Sequence, residues 1–288
     1  MLAGSVFKRM NWLSDSFITV SNKLVFNVCL PCILFFSIAA EPINESLDTQ
    51  LISFAAVSII LATIVLRLVA IPFVEESRRG VFVQGAFRGN MAIVGIAYVL
   101  NTFGDDVLAR ASVYVALMTL LYNILAVWVL RSGDSPWLKG MIKNPLILSV
   151  LAGVLWTMLS LPVPQIARTT GGYFAQITLP LALLCTGATL NLKSLNSNRA
   201  VVAWAVLAKL VLVPVAITSV ALVLGFRGEA LGILFLMMAT PSAAASYIMA
   251  AQMTNHAAMA AEIIALTTVF SLVSVTAGLV VLKTVGWI

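Results

Sequence analysis

Charged side chains are scarce in this sequence. Only 10% of its 288 residues are Asp, Glu, Lys or Arg, whereas 61% are apolar and the mean hydropathy is +1.05. A typical soluble domain has about 25% charged residues, so the composition argues against a soluble fold. Many windows instead provide the roughly 20 consecutive apolar residues that a helix needs to cross a bilayer. The sequence therefore predicts an all-α polytopic membrane protein.

Residues and motifs of catalytic sites are also missing. The chain has a single histidine, His256, which falls in a predicted loop, and its three cysteines lie inside apolar segments. The motifs HExxH, GxxxxGK[ST] and GxSxG do not occur, and they are the patterns expected of zinc hydrolases, nucleotide-binding loops and nucleophile elbows. We therefore predict no enzymatic activity, no metal site and no cofactor, with coupling to H⁺ or Na⁺ left open.

Basic residues outnumber acidic ones, and their position indicates topology. The net charge is +6, from 17 Lys and Arg against 11 Asp and Glu, and most bases lie in short loops beside apolar spans. Such bases set membrane orientation by remaining in the cytoplasm. We therefore predict a multi-pass protein of the cytoplasmic (inner) membrane, whose surroundings are the lipid bilayer rather than nucleic acid. A homodimer is left open.

An internal repeat divides the chain into two halves. Residues 149 positions apart match in three places: Gly4 with Gly153, Asn27 with Gln176, and Pro31 with Pro180. Five spans per repeat is an odd number, so the second half must enter the membrane from the opposite side, as in many secondary transporters. We predict one repeat over residues 1–131, a cytoplasmic linker over 132–143 and an inverted repeat over 144–288. The first helix is expected to be incomplete, because only seven residues precede Lys8.

Polar residues within the fourth apolar span are the first candidates for a binding site. Arg88 and Asn90 flank Gly89, and Gly95 follows, so a break in this helix is expected there. Ionisable and amide groups inside a membrane are costly and are by default functional candidates. Arg88 could pair with a carboxylate, since a guanidinium matches that group bidentately. Alternatively, it could extend to the lipid headgroups at the end of the helix.

Further candidates come from the second half and from the repeat matches. In the counterpart span, Pro241 removes a backbone donor, and the hydroxyls of Ser242 and Ser246 could contact a ligand or bond their own helix. The amides of Asn27 and Gln176 are expected to be buried, either lining the site or joining two helices. Pro31 and Pro180 are expected to kink their helices beside them.

The remaining charges inside the predicted spans have less specific interpretations. Glu262 could carry a proton if burial raises its pKa, or it could pair with a base or lie in an interfacial layer. Arg67 and Lys209 occupy corresponding positions in the two halves, each ahead of a proline. No role is assigned to this pair.

Taken in order, several segments resemble the auxin efflux carrier family, bacterial branch. The matching segments are Asn22-Lys23-Leu24-Val25-Phe26-Asn27-Val28-Cys29-Leu30-Pro31, Phe87-Arg88-Gly89-Asn90 with Gly95, Lys143-Asn144-Pro145, Thr186-Gly187-Ala188-Thr189-Leu190 and Pro241-Ser242-Ala243. The resemblance implies ten helices in a 5+5 inverted repeat, with the fourth and ninth helices broken and crossing near the midplane. It further implies a substrate site at that crossing, including Asn90, and an elevator-type movement. Family members often have proline two residues after the glycine that corresponds to Gly95, where this chain has Ala97.

The resemblance implies transport of a small mono- or dicarboxylate of the malonate or malate type. Two alternatives share the fold. One is a sodium-coupled symporter of the bile-acid type, and the other is a membrane sensor without transport activity.

Overall fold

The fold is taken from a computed structural model, which describes residues 1–39, 48–131, 144–159, 161–189 and 195–288. The predicted linker, 132–143, lies outside the described residues. Helices dominate the described ranges, as the composition predicts. The helices of the first half are α1 (Leu2–Arg9), α2 (Asp15–Leu24), α3 (Leu30–Ala39), α4 (Thr49–Val69), α5 (Glu76–Phe87), α6 (Ile96–Phe103) and α7 (Leu108–Leu130). Those of the second half are α8 (Pro145–Met158), α9 (Gln165–Thr189), α10 (Leu195–Leu207), α11 (Val213–Val223), α12 (Gly228–Met238), α13 (Ala245–Met253) and α14 (Ala257–Thr284).

Three π-helical turns interrupt these helices. They span Val25–Cys29 between α2 and α3, Met91–Gly95 before α6, and Ala208–Leu212 between α10 and α11. Two of the turns precede a proline, Pro31 or Pro214, which cannot donate a backbone hydrogen bond to the preceding turn. π turns of this kind are frequent at functional sites.

Side-chain caps mark where several helices begin. The Asn144 side chain accepts a hydrogen bond from the Leu146 amide at 2.9 Å, and Pro145 occupies the first helical position of α8. Asp48 caps α4 in the same way, through the Leu51 amide at 2.9 Å. Both caps satisfy amides that have no partner within the first turn of a helix.

Five helical stretches among the described residues are long and apolar enough to cross a membrane. They are Asp15–Phe36, Thr49–Val69, Arg110–Leu130, Arg199–Val223 and Ala257–Thr284. Large apolar side chains on α14 are exposed, among them Leu272 at 72% and Val273 at 68%. An exposed surface of this kind is expected where a helix faces lipid rather than water. The chain is therefore a multi-pass α-helical membrane protein.

The helices pack into two groups, and each group combines helices from both halves of the sequence. In the first group, α1, α2, α3, α8 and α9 pack mainly against one another. In the second, α4 to α7 pack with α10 to α14. The groups meet where α9 contacts α13 and α14, where α2 contacts α13, and where α7 contacts α3 and α8. The packing groups therefore differ from the two halves predicted from the sequence.

Candidate functional site at the helix crossing

Two helices are interrupted at the same place in the second group. Residues 88–90 separate α5 from the π turn before α6, and residues 239–244 separate α12 from α13. The two extended segments run antiparallel, with a bridge between Gly89 and Ser242. Their backbone bonds run from the Asn90 amide to the Pro241 carbonyl, 2.8 Å, and from the Ala243 amide to the Arg88 carbonyl, 3.2 Å. We call this pair of segments the crossing.

Hydrogen bonding between the two segments allows extended backbone to exist in the interior of the protein. An unsatisfied amide or carbonyl costs several kcal/mol where water is absent, so non-helical backbone requires partners inside the protein. Ser242 takes part in two such hydrogen bonds. Its hydroxyl donates to the Gly85 carbonyl at 2.7 Å, and its amide donates to the Thr267 hydroxyl at 3.1 Å. The crossing is thereby tied to both α5 and α14.

Gly89 permits the two segments to approach closely. A Cβ atom at this position would lie 2.2 Å from Thr240 Oγ1 and 3.3 Å from both the Met237 carbonyl oxygen and Lys209 Nζ. The first distance is shorter than any normal contact. Gly95 has a related role, because a Cβ there would lie 2.6 Å from the Met237 sulfur. Gly95 is buried and does not line the cavity beside the crossing, so it contributes to helix packing rather than to ligand contact.

A cavity of about 140 Å³ adjoins the crossing. Its walls come from the crossing itself and from α3, α7 and α9, so both helix groups contribute. The polar residues that line it are Arg88, Asn90, Thr119, Tyr122, Asn123 and Thr178. The rest of the wall is largely apolar, with Leu30, Leu34 and Leu179 among its residues. An apolar pocket with a few convergent polar groups is the usual form of a small-molecule site.

Arg88 is the charged group of this cavity. Its side chain is buried, with the residue 5% exposed, so it does not extend to the headgroup region. The guanidinium donates to Asn123 Oδ1 at 2.8 Å and contacts the Met249 sulfur. Both of these partners are neutral. The site therefore combines a buried positive charge with a cavity at its side.

The structure places the other predicted site residues differently. Asn90 is half-buried and lines the cavity. Ser242 is buried at the crossing, where its hydroxyl donates to the Gly85 carbonyl. Ser246 is also buried, on α13, outside the cavity lining. Pro31 and Pro180 each follow a cavity-lining leucine, Leu30 or Leu179.

The prediction of two buried amides was wrong. Asn27 and Gln176 are both exposed, and the Asn27 side chain donates to the Lys23 carbonyl of its own helix at 2.8 Å. In the π turn the buried positions are Val25, Phe26 and Cys29, which leaves Asn27 on the opposite side. A repeat match aligns positions along two helices, but it does not determine which face of each helix is buried.

The sequence reasoning missed the contribution of α7. Thr119, Tyr122 and Asn123 all line the cavity, and Asn123 is 2% exposed. A signal was available, because an amide in the middle of an apolar span is costly in lipid and indicates a polar contact.

Glu262 is buried near the start of α14 and does not line the cavity. Its proposed part in proton coupling stays a prediction. No cluster of His, Cys, Asp or Glu side chains that could hold a metal ion is found within the described ranges.

A second cavity, of about 570 Å³, lies between the two helix groups. Tyr247 of α13 lines it, and its hydroxyl accepts a hydrogen bond from Asn22 Nδ2 at 3.2 Å. The same hydroxyl lies 2.6 Å from the Thr189 hydroxyl of α9. These polar contacts join α13 to both α2 and α9 across the interface between the groups.

Comparison with known proteins identifies the family. Residues 135–278 match the sequence profile of the family described as "Membrane transport protein", which covers half of the chain. The chain belongs to the auxin efflux carrier family of membrane transport proteins. The predicted family resemblance is thereby confirmed. Members of this family are transporters rather than enzymes.

Three relatives align with nearly the whole chain. A protein of Methanothermobacter thermautotrophicus named "Uncharacterized transporter" is 26% identical, over 98% of this chain and 95% of its own length. A protein of Methanocaldococcus jannaschii, also named as an uncharacterized transporter, is 20% identical, over 100% of this chain and 95% of its own length. A protein of Rhizobium meliloti named "Putative malonate transporter" is 27% identical, over 93% and 85%. The similarity to these three proteins therefore includes both helix groups and the crossing.

Proposed function

We propose that this chain is a secondary active transporter that moves a small organic anion across the cytoplasmic (inner) membrane. The buried guanidinium of Arg88, in the wall of the crossing cavity, carries this proposal. Its hydrogen-bonding contacts among the described residues are with Asn123 and Met249, which are neutral. A buried charge is costly unless an opposite charge pairs with it. A carboxylate can do so through two parallel hydrogen bonds to one guanidinium.

The dimensions of the cavity favour a small substrate. Its volume is about 140 Å³, which is below the roughly 300–1,000 Å³ of most ligand pockets. A mono- or dicarboxylate of the malonate or malate type is of the appropriate size class. The name of the Rhizobium meliloti relative supports the same class.

We assign the substrate carboxylate to Arg88, Asn90 and Asn123, which all line the cavity. Arg88 and Asn90 belong to the crossing, and Asn123 accepts a hydrogen bond from the Arg88 guanidinium. Gly89, Pro241 and Ser242 hold the crossing in shape, and Gly95 allows the π turn to pack on α12. Ser246 is proposed to face the substrate only after a movement of α13. Asn27 and Gln176 are left out because they are exposed.

We further propose a ten-helix inverted repeat, with residues 1–131 and 144–288 as the repeats. The break at 88–90 in one half and the break at 239–244 in the other support this arrangement, since they pair antiparallel. The division into two helix groups supports an elevator-type mechanism, in which the group with the crossing moves against the other. Pro31 and Pro180 would then act as hinges in the stationary group.

Uptake of labelled malonate and malate into proteoliposomes tests the function. We expect saturable uptake by the native protein and at least a tenfold loss in Arg88→Gln, because hydrogen bonds to charged groups contribute about 1.5–3 kcal/mol. Asn90→Ala is expected to raise the Michaelis constant. Matched controls are Arg168→Gln and Asn101→Ala, since both residues are exposed and lie outside the cavity.

Two results would count against the proposal. One is an absence of both flux and carboxylate binding in the native protein across a panel of mono- and dicarboxylates. The other is unchanged uptake by Arg88→Gln, which would remove the guanidinium from the site. Binding without flux would instead favour the sensor alternative.

A further inference from the structure

Lys209 is a buried cation that the proposed anion site does not use. It lies in the π turn Ala208–Leu212, is 0% exposed and does not line the crossing cavity. Its repeat counterpart, Arg67, has different surroundings and stacks on the Trp128 ring, with 5.0 Å between guanidinium carbon and ring centroid. The two matched bases therefore have different contacts, and those of Lys209 are at the crossing.

The ammonium of Lys209 binds the end of a broken helix. Its Nζ donates to the Met238 carbonyl at 2.6 Å, and Met238 is the last residue of α12. The last four carbonyls of a helix have no partner within the helix, and together they carry about half a negative charge. This helix end is buried, so its carbonyls depend on donors inside the protein, such as the Thr240 hydroxyl that bonds the Met237 carbonyl at 2.8 Å. Lys209 supplies both a donor and the opposite charge.

The ammonium also lies next to Gly89 of the crossing. Lys209 Nζ, the Met237 carbonyl oxygen and Thr240 Oγ1 all lie within 3.3 Å of the position that a Cβ on Gly89 would occupy. None of the ion pairs found among the described residues involves Lys209. The ammonium thus donates to a neutral carbonyl at the C-terminal end of a broken helix. In other transporters with broken helices, such groups coordinate a sodium ion.

We propose that the Lys209 ammonium occupies a monovalent-cation position at the carbonyl end of α12, and that removing this side chain leaves a site for a small free cation. The ammonium takes the place of a bound ion, so the end of α12 stays against Gly89 although no free ion is bound there. Lys209 is in this sense a positioning residue for the crossing. The experiment below uses protein without substrate, so its result does not depend on which anion is transported, or on whether any is.

Thermal unfolding of purified Lys209→Ala in different chloride salts tests the proposal. We expect sodium, ammonium or propylammonium, each at 100 mM, to raise the melting temperature over that in choline chloride. Propylammonium replaces the atoms that the substitution removes, whereas choline is too bulky. For a dissociation constant of about 10 mM, linkage predicts a rise of roughly 2–6 °C. The native protein should show the same melting temperature in all four salts.

Two variants separate the proposed site from general salt effects. Lys209→Met fills the space with a neutral side chain of similar length, so it should not respond to the salts. Arg67→Ala removes the matched base outside the crossing and should not respond either. Propan-1-ol, a neutral analogue of propylammonium, should not stabilise Lys209→Ala.

The proposal is overturned if Lys209→Ala melts at one temperature in all salts, if Lys209→Met responds as strongly, or if propan-1-ol stabilises as well as propylammonium. If Lys209→Ala gives no folded protein in choline chloride, its recovery by purification in propylammonium chloride is the equivalent test. Equal loss in both salts then overturns the proposal.

Discussion

Replacing Gly89 by alanine should disrupt the crossing more than its single added carbon suggests. The new Cβ would lie 2.2 Å from Thr240 Oγ1, inside a region where Thr240 itself is 0% exposed. The Thr240 side chain is also held in place, because its hydroxyl donates to the Met237 carbonyl at 2.8 Å. We therefore expect the two extended segments to separate.

The expected size of this effect follows from two contributions. Overpacking a filled interior costs about 1–3 kcal/mol, and the two backbone bonds of the crossing contribute about 1 kcal/mol each. If the bonds weaken without breaking fully, the free energy of unfolding falls by roughly 2–4 kcal/mol. This corresponds to a melting temperature lower by about 3–7 °C for a chain of this size. Carboxylate uptake should fall with it, since Asn90 is the next residue.

A double-mutant cycle tests the cause. Thr240→Ala removes the oxygen at 2.2 Å and leaves the other two neighbours at 3.3 Å, so adding it to Gly89→Ala should recover about half of the lost stability, a coupling of roughly 1–2 kcal/mol. Thr240→Val keeps an atom at the hydroxyl position and should recover nothing. Gly172→Ala is the matched control, because a Cβ there meets nothing within 4 Å, and alanine in a helix is favoured by about 0.5–1 kcal/mol. A melting temperature of Gly89→Ala within 2 °C of the native value would refute the reasoning.

Three further predictions concern other contacts. Asn123→Leu removes an amide of the cavity wall that we assign to the substrate carboxylate, so we expect anion affinity to fall about tenfold, in line with a lost hydrogen bond to a charged group, and isothermal titration with malonate checks this. Tyr247→Phe removes the hydroxyl that joins the helix groups and should lower the melting temperature by roughly 2 °C, or about 1 kcal/mol, whereas unchanged stability would mean that these bonds contribute nothing. At Asp48, burial alone would raise the carboxyl pKa, but the backbone amide bonds and Arg110 outweigh it, so the pKa is lowered. Its stabilising effect is therefore complete above the unfolded pKa and is lost as pH falls through the lower folded pKa. Asp48→Asn keeps the helix cap but loses the ion pair and should cost about 1 kcal/mol near neutral pH, while Asp48→Ala should cost about 1 kcal/mol more, as melting curves would show.

Much of the crossing could be foreseen from residue types alone. Arg88, Gly89 and Asn90 stood out because charge, glycine and amide are all unusual within an apolar span. Pro241 marked the second interruption, because proline cannot continue a helix from the preceding turn. These signals are local, since each depends on what one residue does to its own backbone or to the surrounding lipid.

The contacts of the site could not be foreseen in the same way. Asn123 was missed and Asn27 was wrongly expected to be buried, because the buried face of a helix depends on which neighbours cover it. In lipid the hydrophobic pattern hardly distinguishes the two faces, since lipid tails and protein interiors are both apolar. The role of Lys209 shows the same limit. Its sequence neighbours are apolar, and its partner, the Met238 carbonyl, is a backbone group that any sequence would provide.

The sequence by itself determined that the chain is an apolar, helical, multi-pass protein, because composition and span length are sums over many residues. Its ordered motifs, rather than its composition, indicated the auxin efflux carrier family. Only the tertiary structure decided which polar groups meet. The crossing pairs residues that are more than 150 positions apart, and the two helix groups each draw on both halves of the chain. Such pairings depend on how apolar surfaces of similar character fit together, which is a property of their shapes rather than of their composition.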